Sequence, residues 1–454
     1  LNSLFCRVLC SLLCTGLLVC TVSCRPSPKP LSQADLERLA VEFAGFLSKG
    51  SPAGAVKMMD DTMKSLLPEA KLTELWAGLT AQLGEYLSSP GTRYAEEGGY
   101  RVVYVTLAFA SAEVDMKVVF DATGKVSGLW FGQPRIAGTG TYTPPEYADR
   151  DSFVETECTV GAGQWQLPAT LAMPAGGGPF PAVVLVHGSG PNDRDETIGP
   201  NKPFRDLAWG LASRGVAVLR YEKRTKQYQG EITDLAGFTA DQETVEDAVA
   251  AVALLRATAG VDPDAVFVLG HSMGAMMAPR IAARLAAGEG CPPAGLIFMA
   301  GNARDLLTLL VEQSEYIAGL DGQVSDTEEA QLAQLRSQVS TVRDGKLAPG
   351  EVLLGASQAY WADLLAYDQV EAAKGLDLPM LFLQGERDYQ VTMEDFGLWR
   401  EALGGRPGVV FKSYPALNHL FMAGEGRSKP ADYAVPGNVA QDVVEDVAAW
   451  VKGL

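Results

Sequence analysis

From Asp35 onward, apolar residues recur at three- and four-residue spacing: Leu36, Leu39, Ala40, Phe43 and Leu47 form a stripe down one helix face. Gly50-Ser51-Pro52 stops that helix, and further helical patterns cover Ala53–Leu66 and Glu69–Leu87. The period then changes. Tyr100–Phe109 and Val114–Phe120 are β-branched and aromatic, and Asp121-Ala122-Thr123-Gly124 turns into a third strand at Lys125–Phe131. Helices followed by hairpins predict a separate small α+β domain over residues 35–132. Gly132–Pro145 is rich in Gly, Thr and Pro and reads as a linker, extended here to residues 133–150.

After Asp151 short apolar strands alternate with helical patterns. Strands are expected at Ala182–Val186, Val216–Tyr221, Ala265–Leu269, Leu296–Met299 and Met380–Leu383. Continuous apolar runs alternating with helices predict a mostly parallel sheet with helices on both faces, an α/β domain over 151–454. Ser152–Val160 and Gln164–Met173 read as an antiparallel pair at its entry. Residues 303–375 break the rhythm. This largely helical, polar stretch lies between two sheet strands, and a helical cap insertion there would lie over the C-terminal edge of the sheet, where open α/β sheets bind ligands.

The formal charge of −18 argues against a nucleic-acid partner, because phosphate binding needs clustered Lys and Arg, and Lys223-Arg224-Thr225-Lys226 is the only short basic run. Five of seven cysteines lie in the first 24 residues, which leaves Cys158 and Cys291 in the body and gives neither a disulfide framework nor zinc-ligand spacing. Around them, Arg7, the apolar stretch Val8–Val22 and the polar residues after Cys24 form a signal-peptide pattern over 1–24, followed by a Pro- and Ser-rich tether at 25–34. Thr21-Val22-Ser23-Cys24 resembles a bacterial lipoprotein cleavage box, although Thr21 stands where that box usually has Leu. A lipid on Cys24, a plain signal peptide and an uncleaved anchor are the alternatives, and each puts the rest of the chain outside the cytoplasm: periplasmic, extracellular or membrane-anchored.

Chemistry concentrates at the three histidines, His187, His271 and His419. Gly270-His271-Ser272-Met273-Gly274 fits G-x-S-x-G directly after a strand and before a helix, the context that projects a nucleophilic hydroxyl from a tight turn. A helix N-terminus behind it favours developing negative charge. Ala182–Val186 runs into His187-Gly188-Ser189-Gly190, whose loop would supply one oxyanion N–H while the residue after the nucleophile supplies the other; the donors assigned are Ser189 and Met273. Met380–Leu383 leads to Gln384-Gly385-Glu386-Arg387-Asp388. Asp388 is the assigned partner of the base, with Glu386 and then Asp395 as competitors. Phe411–Tyr414 leads to Asn418-His419, and the order Ser, Asp, His assigns the base to His419. His187 reads as structural or as a substrate contact. Arg194 and Arg224 read as substrate contacts or as salt bridges pinning loops, and the insertion aromatics Tyr316, Tyr360, Trp361 and Tyr367 as pocket lining or helix packing. No metal ligands and no organic cofactor are expected.

These motifs make residues 150–454 similar to the α/β-hydrolase superfamily, and the run from His187 to Glu196 resembles its bacterial esterase and peptidase-like branch. Residues 35–132 resemble a domain of unknown function, cystatin-like α+β, found N-terminal to such hydrolases. The resemblance implies Ser272, Asp388 and His419 as a triad acting on a small ester or acyl substrate, carboxylesterase-type chemistry being favoured over peptidase chemistry because no propeller repeat is present. Thioester cleavage and a surface binding protein with a vestigial site remain as alternatives, and the oligomeric state is not legible.

Overall fold

A computed structural model describes residues 31–97, 99–109, 112–132, 141–232, 237–289, 291–348 and 351–454. The leader pattern, the lipidation box, residues 25–30 of the first linker and residues 133–140 of the second lie outside these residues.

The N-terminal portion begins with α1 (Gln33–Ser48), whose capping box pairs Ser32 with Asp35 and whose apolar stripe is buried at Leu36, Ala40, Phe43 and Leu47. One helix was expected at 53–66, but the chain forms two, α2 (Pro52–Met58) and α3 (Asp61–Leu66). The break falls at Asp60, whose carboxylate caps α3 by accepting the Met63 N–H at 2.7 Å. Following α4 (Glu69–Leu83) come four strands in sequential order in one sheet, β1 (Tyr86–Glu97), β2 (Tyr100–Phe109), β3 (Glu113–Phe120) and β4 (Val126–Phe131). Strand β1 was not expected.

The second sheet has eight strands. An antiparallel pair, β5 (Phe153–Val160) and β6 (Leu167–Pro174), joins β7 (Phe180–Val186), β8 (Ala217–Tyr221), β9 (Val261–His271), β10 (Leu296–Met299), β13 (Met380–Gly385) and β14 (Val409–Tyr414). Its order is β14-β13-β10-β9-β7-β8-β6-β5, with β7 to β10, β13 and β14 mutually parallel. The buried stretches of the central strands β7, β9 and β10 are continuous apolar runs because both faces are covered. One face presents Val184, Val186, Val268 and Phe298 to α7 (Glu246–Arg256) and α8 (Met273–Glu289). The other presents Val183, Leu185, Phe267 and Ile297 to α5 (Pro203–Ala212) and α14 (Gln441–Lys452). A short α6 (Arg224–Gln227) follows β8, one turn of π-helix (Asp241–Val245) leads into α7, and α13 (Met393–Leu403) follows β13.

Between β10 and β13 the insertion folds as α9 (Leu306–Ala318), α10 (Asp326–Arg343), a small hairpin of β11 (Val352–Leu353) and β12 (Ala356–Ser357), α11 (Gln358–Leu365) and α12 (Gln369–Lys374). Its Leu307, Val342, Leu347, Trp361 and Leu364 are buried in the same apolar cluster as Val186, Val268 and Phe298 of the sheet. The insertion is therefore part of the core.

Strand β7 lies between β8 and β9, so the chain leaves it in one direction and returns on its other side. That reversal opens a crevice at the carboxyl ends of β7 and β9, where parallel sheets hold ligands. Residues 187–190 and Ser272 follow those two strands.

Candidate active site

Ser272 sits on the turn from β9 to α8 with φ +53°, a left-handed conformation that costs a non-glycine residue about 1–3 kcal/mol. The turn is held from both ends: the Ser272 N–H donates to Met299 O at 2.9 Å, and its carbonyl accepts the Ala275 N–H at 2.9 Å to start α8. Its flanking glycines answer to crowding. A Cβ on Gly274 would lie 2.1 Å from Val186 O, and one on Gly270 would lie 2.3 Å from the Gly274 backbone. Strand β7 and helix α8 pass too closely for any larger residue.

Two loops at the far side of the crevice bring an imidazole and a carboxylate together. The Asn418 side chain accepts the Leu420 and Met422 N–H groups, shaping the turn that carries His419. At the end of β13, a Cβ on Gly385 would lie 2.4 Å from Leu417 O, so glycine is what lets the two loops meet. His419 Nδ1 then lies 2.6 Å from Asp388 Oδ2. Asp388 is buried, and its other oxygen accepts the Gln390 and Val391 N–H groups at 2.8 and 3.1 Å. A carboxylate held this way fixes the ring so that Nδ1 carries a proton toward Asp388 and Nε2 is the basic nitrogen. Its sequence competitors are engaged elsewhere. Glu386 accepts from the Ser413 hydroxyl at 2.8 Å, and the fully buried Asp395 binds Arg304 and the Ala303 N–H at the base of the insertion.

The pairing of His271 with Glu196 was not anticipated. His271 lies behind the serine, its ring centroid 4.7 Å from that of His419. Its Nε2 is 2.9 Å from His419 O, which can only accept, and its Nδ1 is 2.9 Å from Glu196 Oε2 as an ion-pair contact rather than an aligned hydrogen bond. Both ring nitrogens thus face acceptors. Burial opposes the imidazolium most strongly, but the Glu196 charge and contact, the His419 carbonyl and the Asp388 charge together hold His271 above the ordinary histidine value. Burial is likewise the largest influence on Glu196 and raises it, but His271 together with His187 and the Gly188 N–H more than reverses this, so its carboxyl lies below the ordinary value. Glu196 Oε1 also accepts the Gly188 N–H at 2.7 Å. One buried pair therefore links the loop after β7 to the loop carrying His419.

With the Gly188 N–H committed, the next amide along that loop is Ser189. Among the described residues neither the Ser189 nor the Met273 N–H donates to a protein acceptor. Gly188 also lies against the nucleophile turn: a Cβ there would sit 3.3 Å from Ser272 Cβ.

His187 is buried among rings. It is 1% exposed and packed between the Phe204 and Tyr221 rings at 5.0 and 5.3 Å, and burial pulls it down to about 4. Arg194 is bound by Glu222 and Glu157, and the buried Arg224 by Asp247 and Glu246. Both arginines therefore pin loops, the salt-bridge alternative of the two that the sequence left open. Among the insertion aromatics, Tyr316 donates to Ser428 O and Trp361 to Leu353 O, while Tyr360 reaches Met273, its hydroxyl 3.6 Å from the sulfur. Cys158 and Cys291 are free thiols, and no group of His, Cys, Asp and Glu among the described residues could hold a metal.

A strained serine at a strand-to-helix turn, a His–Asp pair on later loops and a crevice at the sheet's switch point define the α/β-hydrolase class. The model of the alpha/beta hydrolase family matches residues 183–435, and the chain belongs to that family. A protein family of unknown function, DUF3887, matches residues 40–129. The chain is 39% identical over 409 residues to Esterase EstD of Thermotoga maritima, covering 90% of this chain and 93% of that one. The hyperthermophilic esterase of Pyrobaculum calidifontis aligns at 17% identity and TM-score 0.43, over 66% of this chain and 85% of its own.

Proposed function

We propose that the protein is a serine hydrolase that cleaves carboxylic esters of small acyl substrates through an acyl-enzyme. The observation carrying this reading is the 2.6 Å contact between His419 Nδ1 and Asp388, beside a serine held at positive φ. His419 Nε2 takes the proton of the Ser272 hydroxyl as Oγ attacks the ester carbonyl, and Asp388 stabilises the imidazolium. The Ser189 and Met273 N–H groups receive the oxyanion. Collapse expels the alcohol, which takes the proton from His419. Water, deprotonated by the same imidazole, then frees the acid. The 39% identity to an esterase along nearly the whole chain supports ester over peptide substrates.

The test is Ser272→Ala. It should abolish hydrolysis of short p-nitrophenyl esters and labelling by a fluorophosphonate, with the circular dichroism spectrum unchanged. Turnover persisting in that variant would refute the assignment, and faster cleavage of aminoacyl amides than of esters by the native protein would move it to a peptidase.

We further infer that the protein is exported and anchored by a lipid on Cys24. Arg7, the apolar run Val8–Val22 and the Thr21-Val22-Ser23-Cys24 box support this. Fatty-acid labelling should occur in the native chain and vanish in Cys24→Ala, and label retained in that variant would exclude the anchor.

A further inference from the structure

Lys223 lies just beyond β8 and is 2% exposed. Taking an ammonium out of water costs several kcal/mol, so the partners that offset this cost are informative. Its Nζ donates to Gly188 O at 2.7 Å and lies 2.8 Å from Glu243 Oε1 in the π-helical turn. Glu243 in turn accepts the Tyr360 hydroxyl of α11. Burial, followed by the Glu243 charge, raises that phenol well above its ordinary value, so it remains a donor. The Asn192 side chain gives Gly188 O a second bond at 3.2 Å, and the Lys223 N–H donates to Asn192 O at 3.1 Å.

The carbonyl held by Lys223 belongs to the same peptide unit as the Ser189 N–H. That unit is planar and trans, so C=O and N–H point in opposite directions, and fixing one end aims the other. A cation at the carbonyl end also polarises the amide and strengthens the donor at the far end. Nearby, Arg194 is held by Glu157, Glu222 and the Thr170 hydroxyl, and Arg224 by Asp247 and Glu246. Lys223 is the cation that touches the peptide beside the nucleophile turn.

We propose that Lys223 is a positioning residue for ester hydrolysis, its ammonium aiming and polarising the Gly188–Ser189 peptide from behind. Through Glu243 and Tyr360 the same link ties that peptide to the cap. This rests on the acyl-enzyme reading above, in which the Ser189 N–H binds the oxyanion.

The experiment compares the full-length protein with Lys223→Met, measuring kcat and KM on p-nitrophenyl butyrate and Ki for a trifluoromethyl ketone, whose serine adduct carries an oxyanion. Losing an oxyanion donor outright costs about 10²–10³ in kcat, so loosening one should cost roughly 10- to 100-fold. KM should stay within about twofold, since the donor acts where charge develops. Ki should rise by the same factor as kcat/KM falls. Because Lys223→Met leaves Glu243 buried without its cation, Lys223→Met/Glu243→Gln is measured in parallel; it leaves no uncompensated charge in that pair. A folded variant with kcat within about twofold of the native value overturns the proposal, as does a lost kcat with Ki unchanged, the pattern of a merely structural lysine. Ser272→Ala separates the two levels. If it is inactive while Lys223→Met is fully active, the lysine proposal alone fails; if it remains active, both fail.

Discussion

Two histidines within the same small volume are pushed in opposite directions from the ordinary histidine value, and the cause is the company each keeps. His271 faces a carboxylate and a carbonyl, whereas His187 is packed against rings and pulled down to about 4. Above its ordinary value of 6.5, His187 is neutral in folded and unfolded chains and contributes no pH dependence. As pH falls from 6.5 toward 4, the unfolded chain binds a proton that the native state refuses, so stability is lost. At 1.36 kcal/mol per unit the loss reaches roughly 3 kcal/mol. Urea denaturation of the native protein and of His187→Phe at pH 8 and pH 4 should show that loss in the native protein alone. Equal losses would mean that the imidazole is not buried as a neutral group. The neighbouring carboxylates allow a sharper comparison. Asp388→Asn should lower kcat by about 10³–10⁴, because an amide favours the wrong imidazole tautomer. Glu386→Gln, whose partner is Ser413, should stay within about twofold on the same ester assay.

At the scale of elements, the approach of β7 to α8 sets the nucleophile's position, and Gly274 is where it is tightest. Gly274→Ala would drive a methyl into Val186 O, 2.1 Å away, a clash with backbone that no rotamer relieves. We expect a loss of about 3 kcal/mol, at the upper end for overpacking, with esterase activity falling as the turn is displaced. Equilibrium unfolding reads the first effect and kcat the second. Elements such as β7, β9 and β10 were legible because both their faces are buried, leaving unbroken apolar runs. Strand β1 was hidden for the converse reason. Ser88, Ser89 and Pro90–Thr92 carry turn signals and little apolar alternation, and the strand is mostly exposed at the sheet edge, where proline is tolerated. The α2–α3 break was missed because a capping aspartate inside a helical pattern looks like an ordinary polar position.

For the whole molecule, what sequence conceals is pairing across distance. Ser272, Asp388 and His419 each announced themselves by local motif. Glu196, Lys223 and Glu243 did not, since their meaning lies in partners 20 to 117 residues away. The cap belongs to this class. Its helices read as an insertion, yet Val342, Leu347 and Leu364 are buried with the sheet's own core residues. A cap so embedded should not open as a rigid lid. Hydrogen exchange should therefore find the amides of the last turn of α10 and of α11 protected alongside β9, while the exposed first turn of α10 exchanges fast. Uniform rapid exchange across both helices would show that the cap opens independently.

The eight-stranded sheet ends on β5 at one side and β14 at the other. Glu155 and Glu157 on β5 are engaged by Arg220 and Arg194, and Lys412 on β14 by Asp446. A foreign strand seeking to extend either border would have to strip hydration from these ions, which is how natural sheets discourage runaway pairing. At high concentration, the molecule's defence against fibrillar growth is thus written into the charges along its rims.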